Sequence, residues 1–157
     1  MVQRQLPKVG ELLELMQFKK PELDARKRRL DAALTIADLR AAAARHAPDP
    51  ACPCGALRCR GWESLPATFD GALLECVGSL REGDAYDEPT LEEFHPDGTR
   101  YDAPDAPISL AHFPYNRCEL WRCVNCARPF LRYTEYGGYY VDPRIRALDP
   151  SLLIDPT

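Results

Sequence analysis

The sequence of residues 117–140 is RCELWRCVNCARPFLRYTEYGGYY, and it places Cys123 and Cys126 between two strand-like runs. Two cysteines at this spacing predict a tight turn that presents two thiolates to one metal ion. The following runs, 130–133 and 139–141, contain the aromatic and aliphatic residues typical of strands. Gly137 and Gly138 between them allow the positive φ angles of a primed turn. The stretch therefore predicts a cysteine turn followed by a β-hairpin.

A tetrahedral metal site needs a second pair of ligands, and the sequence offers one upstream. Residues 51–55 are Ala-Cys-Pro-Cys-Gly, and a further thiol follows at Cys59. We predict a structural zinc ion with the ligands Cys52, Cys54, Cys123 and Cys126. The upstream turn is one residue shorter than the usual Cys-Pro-x-Cys-Gly, which leaves Cys59 as an alternative to one of its two cysteines. Iron is the alternative metal.

The remaining cysteines, Cys76 and Cys118, are not expected to bind the metal. Cys76 lies next to an apolar stripe, and Cys118 points to the opposite face from Cys123 on a strand entering the turn. The 68 residues between Cys54 and Cys123 exceed the spacing of a minimal zinc ribbon. Loop-closure entropy grows only slowly with length, so a long insertion is compatible with the site.

Composition divides the chain at residue 48. Residues 1–48 carry ten Lys/Arg and six Asp/Glu, net +4, whereas residues 49–157 carry ten Arg and eighteen Asp/Glu, net −8. The acidic part repels phosphate backbones, so no nucleic-acid partner is expected. No run has the length of a membrane span, and seven cysteines in close clusters favour metal ligation over disulfides. We therefore expect a cytoplasmic protein without membrane contact.

Two helices are predicted in the basic part. The first covers residues 9–18, with an apolar stripe of Leu12, Leu13, Leu15 and Met16. The second covers 36–46, begins at a capping box of Thr35 and Asp38, and ends before Pro48. Together with the cysteine domain they give an α+β fold: a helical leader, residues 1–48, and a small antiparallel β domain with a zinc-ribbon-like metal site, residues 49–157.

Three smaller elements are predicted in the cysteine domain. Asp70 caps a short helix with an apolar stripe of Leu73, Leu74, Val77 and Leu80. The Pro-Asp-Gly turn at 96–98 forms a hairpin over residues 94–101. Asp142-Pro143 starts a last helical turn, after which Leu148, Leu152, Leu153 and Ile154 pack on the core.

The leader resembles a known family. The resemblance is carried by Leu6-Pro7-Lys8-Val9, Gln17-Phe18, Pro21, Lys27-Arg28-Arg29-Leu30, Ala33-Leu34-Thr35-Ile36 and Asp38-Leu39-Arg40. These residues resemble the N-terminal leader of flavin-dependent α-hydroxy-acid dehydrogenases, in particular the cytochrome-coupled L-lactate dehydrogenases. The resemblance implies an FMN-binding (β/α)8 barrel of ~250 residues, but it stops at Pro48 and 109 residues follow. We therefore carry over no catalytic or flavin-binding residue.

A binding or structural role is the function that these features favour. His46, His95 and His112 have no local link to a cysteine nucleophile, and Glu135 is the only acid near the second cysteine turn's hairpin. The leader helices offer a contact face for a protein partner. The alternative is a fragment or accessory of an FMN-dependent α-hydroxy-acid dehydrogenase system. The leader is then either a docking segment or the product of a gene fusion or truncation without retained activity.

Overall fold

A five-stranded antiparallel sheet is the main element of residues 32–83 and 86–155, which the computed structural model describes. The elements are α1 (Ile36–Ala44), β1 (Glu63–Ser64), β2 (Leu74–Ser79), β3 (Glu119–Cys123), β4 (Pro129–Tyr136) and β5 (Val141–Ala147). The strand order is β1-β5-β4-β3-β2. Single 3-10 turns lie at Pro53–Ala56, Gly71–Leu73, Tyr115–Arg117 and Pro150–Leu152.

The β4–β5 hairpin at the centre of the sheet confirms the predicted hairpin, with longer strands. Its register runs from Phe130 opposite Ala147 to Tyr136 opposite Val141. The predicted reason for the glycine pair was wrong, because neither glycine has a positive φ. A Cβ on Gly137 would instead lie 2.3 Å from the ring of Tyr140. A side chain at this position would therefore force the exposed Tyr140 ring to move.

The two faces of the sheet carry two separate apolar clusters, as expected where side chains alternate along strands. The first cluster covers the face of Leu120 and Leu131 and contains Ile36, Leu39, Trp62, Leu80, Ile108, Tyr115, Cys118, Tyr133, Leu148 and Leu153. The second covers the face of Phe130 and Ile145 and contains Cys52, Cys54, Leu57, Cys59, Leu74, Cys123 and Cys126. The predicted cysteine ligands therefore all belong to one cluster.

The predicted fold class, a helical segment plus a separate β domain, is wrong for the described residues. They contain one α-helix, α1, and it is part of the same compact unit as the sheet, residues 32–157. Ile36 and Leu39 bury their side chains in the first cluster, and Leu39 is fully buried. The helix covers the sheet because its apolar residues need that surface. The predicted helix at 9–18 lies outside the described residues.

The start and end of α1 agree with the prediction from the sequence. The Thr35 hydroxyl accepts a hydrogen bond from the Asp38 amide at 3.3 Å, and the Asp38 carboxylate accepts one from the Thr35 amide at 2.8 Å. This is the predicted capping box. The helix ends at Ala44, before Pro48, as predicted.

Other local predictions need correction. Asp70 caps a 3-10 turn, but the apolar residues that follow form β2, because pairing with β3 satisfies their backbone. Residues 94–101 form a turn without strands, since Phe94 packs against His112 and Tyr101 against Phe113.

The C-terminal helical turn is displaced from its predicted position. Asp142 and Pro143 lie in β5, and the capped turn forms at the next Asp-Pro pair, where the Asp149 carboxylate accepts from the Ser151 amide at 3.0 Å. Leu148 and Leu153 are buried as predicted. No helix in the described ranges, 32–83 and 86–155, has the length and apolar character needed to cross a membrane.

Candidate metal centre

The upstream cysteine turn is a 3-10 turn that begins directly after Cys52. The Gly55 amide donates to the Cys52 carbonyl at 3.0 Å, and the Leu57 amide donates to the Cys54 carbonyl at 2.9 Å. The Asp49 carboxylate accepts from the Ala51 amide at 2.9 Å and orients the chain entering the turn. A 3-10 turn tightens the chain compared with an α-helix, so one intervening residue suffices to aim both thiols the same way.

The downstream turn connects β3 with β4. Cys123 is the last residue of β3, and its carbonyl accepts from the Ala127 amide at 3.0 Å. Ala127 has a φ of 61°, the left-handed conformation that lets the chain reverse within four residues. The Asn125 amide points at the Cys123 sulfur, with 3.4 Å between nitrogen and Sγ. This contact helps to fix the position of the Cys123 side chain on the turn.

The structure brings the four predicted ligands together. The sulfurs of Cys52, Cys54, Cys123 and Cys126 all lie within 4.8 Å of one another, and all four residues are buried. The pairs Cys52–Cys123 and Cys54–Cys126 each have their sulfurs 3.4 Å apart, so each close pair joins the two turns. Sulfurs ~2.3 Å from one tetrahedral ion lie ~3.8 Å apart. The group could therefore hold a metal ion.

A disulfide is not the reason for this proximity. A disulfide bond is ~2.05 Å long, well below 3.4 Å, and all seven cysteines are free. Two of the other three lie elsewhere: Cys118 donates to the Pro114 carbonyl at 3.1 Å in the first cluster, and Cys76 faces the Glu119 carboxylate at 3.8 Å.

Cys59, the alternative ligand in the sequence, does not belong to the four-sulfur group. It is fully buried in the same cluster, where its carbonyl accepts from the Ala147 amide at 2.8 Å. Burial raises the pKa of its thiol to about 11. Its backbone bond connects the upstream turn to β5, which is a packing role.

The pKa values of the thiols differ within the four-sulfur group. The neighbouring amide of Cys54 lowers the pKa of the Cys52 thiol to about 7. Burial raises the pKa of Cys54 and that of Cys126. Metal ions bind thiolates, so a bound cation must displace protons from the buried pair.

Arg128 is a residue of this site that the sequence analysis missed. Its guanidinium donates to the carbonyls of Leu57 at 2.7 Å and of Cys54 at 3.3 Å, and it lies 4.8 Å above the Phe130 ring. It thereby joins the two cysteine turns and places a positive charge near the buried Cys59 thiol. Its position two residues after Cys126, on the same turn, is the signal that could have identified it.

The histidines and Glu135 all have other partners or surroundings. His95 bonds Glu93 at 3.1 Å, the Ser109 hydroxyl and His112 Nδ1 are 2.6 Å apart, and Glu135 accepts from the Tyr133 hydroxyl at 2.7 Å. Burial, followed by the charge of Arg128, lowers the pKa of His46.

Within the described residues the candidate ligand group consists of sulfur alone. An all-sulfur tetrahedral set suits zinc or an iron–sulfur centre.

Comparison with known proteins gives one short similarity. A protein described as "Putative L-lactate dehydrogenase" from Mycobacterium tuberculosis (strain ATCC 25618 / H37Rv) is 53% identical to this chain over 47 residues. The match covers 30% of this chain and 11% of that protein. The matched protein is described as the same class of enzyme that residues 4–48 resemble, and the matched length is close to the length of that segment. No protein-family model and no solved structure matches the chain.

Proposed function

We propose that Cys52, Cys54, Cys123 and Cys126 bind one structural zinc ion and that the protein is a small zinc-stabilised binding module of the cytoplasm. The observation that carries this proposal is the meeting of four buried sulfurs from two turns separated by 68 residues. Four thiolates fill a tetrahedral zinc site and leave no open position for a substrate. The site therefore supports the fold.

The zinc joins the two turns across the second apolar cluster. Much of that cluster is cysteine, and its larger apolar members are few: Leu57, Leu74, Phe130 and Ile145. Structural zinc contributes ~10–16 kcal/mol of apparent binding free energy in small zinc domains. A cluster of this composition benefits from such a cross-link, because four thiols bury less apolar surface than leucines would.

Metal analysis of the purified protein with native intact-mass measurement tests this proposal. We expect one zinc per chain in colourless protein, and loss of the zinc with a lower thermal transition after chelator treatment. Absorption in the visible range together with bound iron would show that the metal is iron and not zinc. A transition unchanged by complete metal removal would contradict the structural role.

The partner is proposed to be another protein, bound through the N-terminal segment. The support is the apolar stripe Leu12, Leu13, Leu15 and Met16 at helical spacing in the sequence. A pull-down that recovers a partner with the intact chain and loses it with Leu12→Asp/Met16→Asp would support this role. The matched control is Glu11→Asp/Glu14→Asp, which keeps the charge on the polar side.

The second candidate is a role beside an FMN-dependent hydroxy-acid dehydrogenase, which the 47-residue similarity favours. That similarity covers no barrel, and FMN enzymes of this kind bind the flavin in one. We expect no saturable binding when FMN is titrated into the protein, and no turnover of L-lactate. Flavin binding with a micromolar constant would favour the dehydrogenase-related role instead.

A further inference from the structure

A cavity of about 350 Å³ lies at the other end of β3 from the cysteine centre. Glu119, the first residue of β3, lines the cavity, whereas Cys123, the last residue, is a proposed zinc ligand. Four residues of extended strand separate the two sites by ~13 Å. The cavity touches the first apolar cluster only through Tyr133 and contains no residue of the cysteine cluster, and the structural zinc gives it no role.

Three arginines converge on this cavity in a part of the chain that is acidic. Arg81, Arg117 and Arg132 line it together with Glu88 and Glu119, so its charged side chains sum to +1, whereas residues 49–157 carry −8. Low-dielectric walls strengthen the local potential of such a concentration of charge. An anion is therefore attracted to this part of the surface.

The wall of the cavity is held by hydrogen bonds. Arg117 donates from one terminal nitrogen to the carbonyls of Pro89 at 3.0 Å and Thr90 at 3.1 Å. The Asn116 amide donates to the same Thr90 carbonyl at 2.7 Å. These bonds attach the loop carrying Glu88 and Pro89 to the start of β3, so the cavity is pre-formed.

Arg132 lines this cavity, and its guanidinium has donors without a hydrogen-bond partner among the described residues. Its guanidinium stacks on the Trp121 ring, 4.2 Å from the centroid, which orients its plane. Across the ranges that the structure describes it makes no hydrogen bond and no ion pair, although Glu119 is its cross-strand neighbour. A planar guanidinium with five donors matches the two oxygens of a carboxylate or phosphate. The indole nitrogen of Trp121 donates to Glu119 at 3.4 Å and completes the arrangement.

We propose that this cavity binds a small organic anion, with its oxyanion group, a carboxylate or a phosphate, on the Arg132 guanidinium. A volume of about 350 Å³ is at the small end of ligand sites and exceeds the size of a bare ion. The carboxylate of Glu119 accepts a hydrogen bond from a hydroxyl or ammonium group of the same ligand. Thr134 adds a hydroxyl from β4, and Tyr136 lies at the exposed rim.

The two tryptophans make this proposal testable by NMR. Trp121 contacts Arg132 and Glu119, whereas Trp62 is buried in the first cluster and serves as the internal control. Inorganic phosphate and acetate are titrated separately into zinc-loaded, ¹⁵N-labelled protein at constant ionic strength, with chloride as the third arm. We expect a saturable shift of the Trp121 indole signal with phosphate or acetate and no shift of Trp62.

Variants of Arg132 test whether its guanidinium binds the anion that shifts the Trp121 signal. We expect Arg132→Gln to weaken binding at least tenfold and Arg132→Lys, which keeps the charge without the planar fork, to weaken it several-fold. Arg122→Gln is the matched control, because Arg122 pairs with Glu75 at 2.6 Å on β2 and lies outside the cavity. It should bind like the wild type.

Three outcomes would decide against the site. An equal response to chloride would mean screening of surface charge, and the absence of a saturable shift with either oxyanion would remove the proposal. Equal affinity in folded Arg132→Gln would place the anion elsewhere. If that variant does not fold, Arg132→Lys and the wild-type titrations still give the answer. None of these results depends on whether the bound metal is zinc.

Discussion

At the scale of single residues, position separates the thiols that meet from those that do not. Cys126 and Cys54 are buried with their sulfurs 3.4 Å apart, whereas Cys118 is equally buried but bonds a carbonyl in the opposite cluster. Burial alone therefore does not mark a ligand. A candidate ligand is instead recognised by its position on a tight turn whose backbone amides face the sulfur, and by other sulfurs close to it.

The first residue-scale prediction removes one ligand. Cys126→Ser should lose the zinc and destabilise the domain by several kcal/mol, because the binding free energy of the ion no longer stabilises the folded state. Cys123→Ser should behave in the same way. Zinc stoichiometry and urea unfolding measure both effects, and Cys76→Ala and Cys118→Ala are controls that should keep the metal. Full zinc content in Cys126→Ser would show that this residue is not a ligand.

Zinc affinity should rise with pH. Burial raises the pKa of Cys54 and Cys126 above the ordinary thiol value, so both carry protons at neutral pH in the metal-free fold. Zinc must release these protons, and each one adds about a tenfold gain in affinity per pH unit. Competition with a chromophoric chelator at pH 6.5 and 7.5, corrected for the chelator's own protonation, measures the gain. A flat profile would mean that the thiols are already ionised before zinc binds.

Arg128 should tune the centre without being a ligand. Arg128→Lys keeps the charge but cannot reach the carbonyls of Cys54 and Leu57 together, so the upstream turn loses part of its support. Residues that orient metal ligands typically change affinity 10–100-fold, and we expect about tenfold weaker zinc binding. Arg122→Lys, distant from the cysteine turns, is the control. The same chelator competition would contradict this role if both variants kept wild-type affinity.

At the scale of elements, the segment between the upstream cysteine turn and β1 passes close to the backbone of a second loop, which contains Asp102. A Cβ on Gly61 would lie 2.3 Å from the carbonyl oxygen of Asp102. The loop that contains Asp102 is fixed by further hydrogen bonds, since the fully buried Arg146 donates to the carbonyls of Pro104 at 3.2 Å and Ala106 at 3.0 Å. The loop can therefore not move away without losing these bonds.

This contact gives the element-scale prediction. Gly61→Ala should destabilise the protein by about 1–3 kcal/mol, the usual effect of overpacking against a fixed backbone. Gly71→Ala is the matched control, because a Cβ there meets nothing within 4 Å. Urea denaturation of both variants measures the difference. Equal stability of the two would show that the Asp102 loop yields easily.

The success of sequence-based prediction also differs between elements. The cysteine turn at 123–126 and the β4–β5 hairpin were predictable, since their signals are local. The strand β2 was not, because Leu73, Leu74, Val77 and Leu80 have helical spacing and only the distant β3 decides their conformation. The four cysteines that meet were predictable from their paired spacing, and their role as metal ligands stays a prediction. Arg128 was not, because arginine has many ordinary surface roles.

At the scale of the whole molecule, α1 connects the two ends of the sheet: the Leu34 amide before the helix donates to the Ser79 carbonyl, at the end of β2 away from the cysteines, and the chain after the helix reaches the cysteine centre. The Ala47 amide, just beyond α1, donates to the Cys126 carbonyl at 2.9 Å. The helix itself fills the first cluster with Ile36 and Leu39. The composition break at residue 48 therefore falls inside the described unit, 32–157, and the separate folding of residues 49–157 stays a prediction.

Two truncations test where the folding unit begins. Residues 32–157 should fold and bind zinc, because they contain α1 with its capping box and every residue of both clusters. Residues 49–157 lack Ile36 and Leu39, and the loss of a buried leucine alone costs about 2–5 kcal/mol. We therefore expect the shorter fragment to be less stable by at least that amount, as measured by urea unfolding and zinc stoichiometry. Leu39→Ala in residues 32–157 is the intermediate case, and Ala37→Ser, at an exposed position of the same helix, is its control. If residues 49–157 were as stable and as fully zinc-loaded as 32–157, the composition break would mark the domain boundary and α1 would be dispensable for the fold.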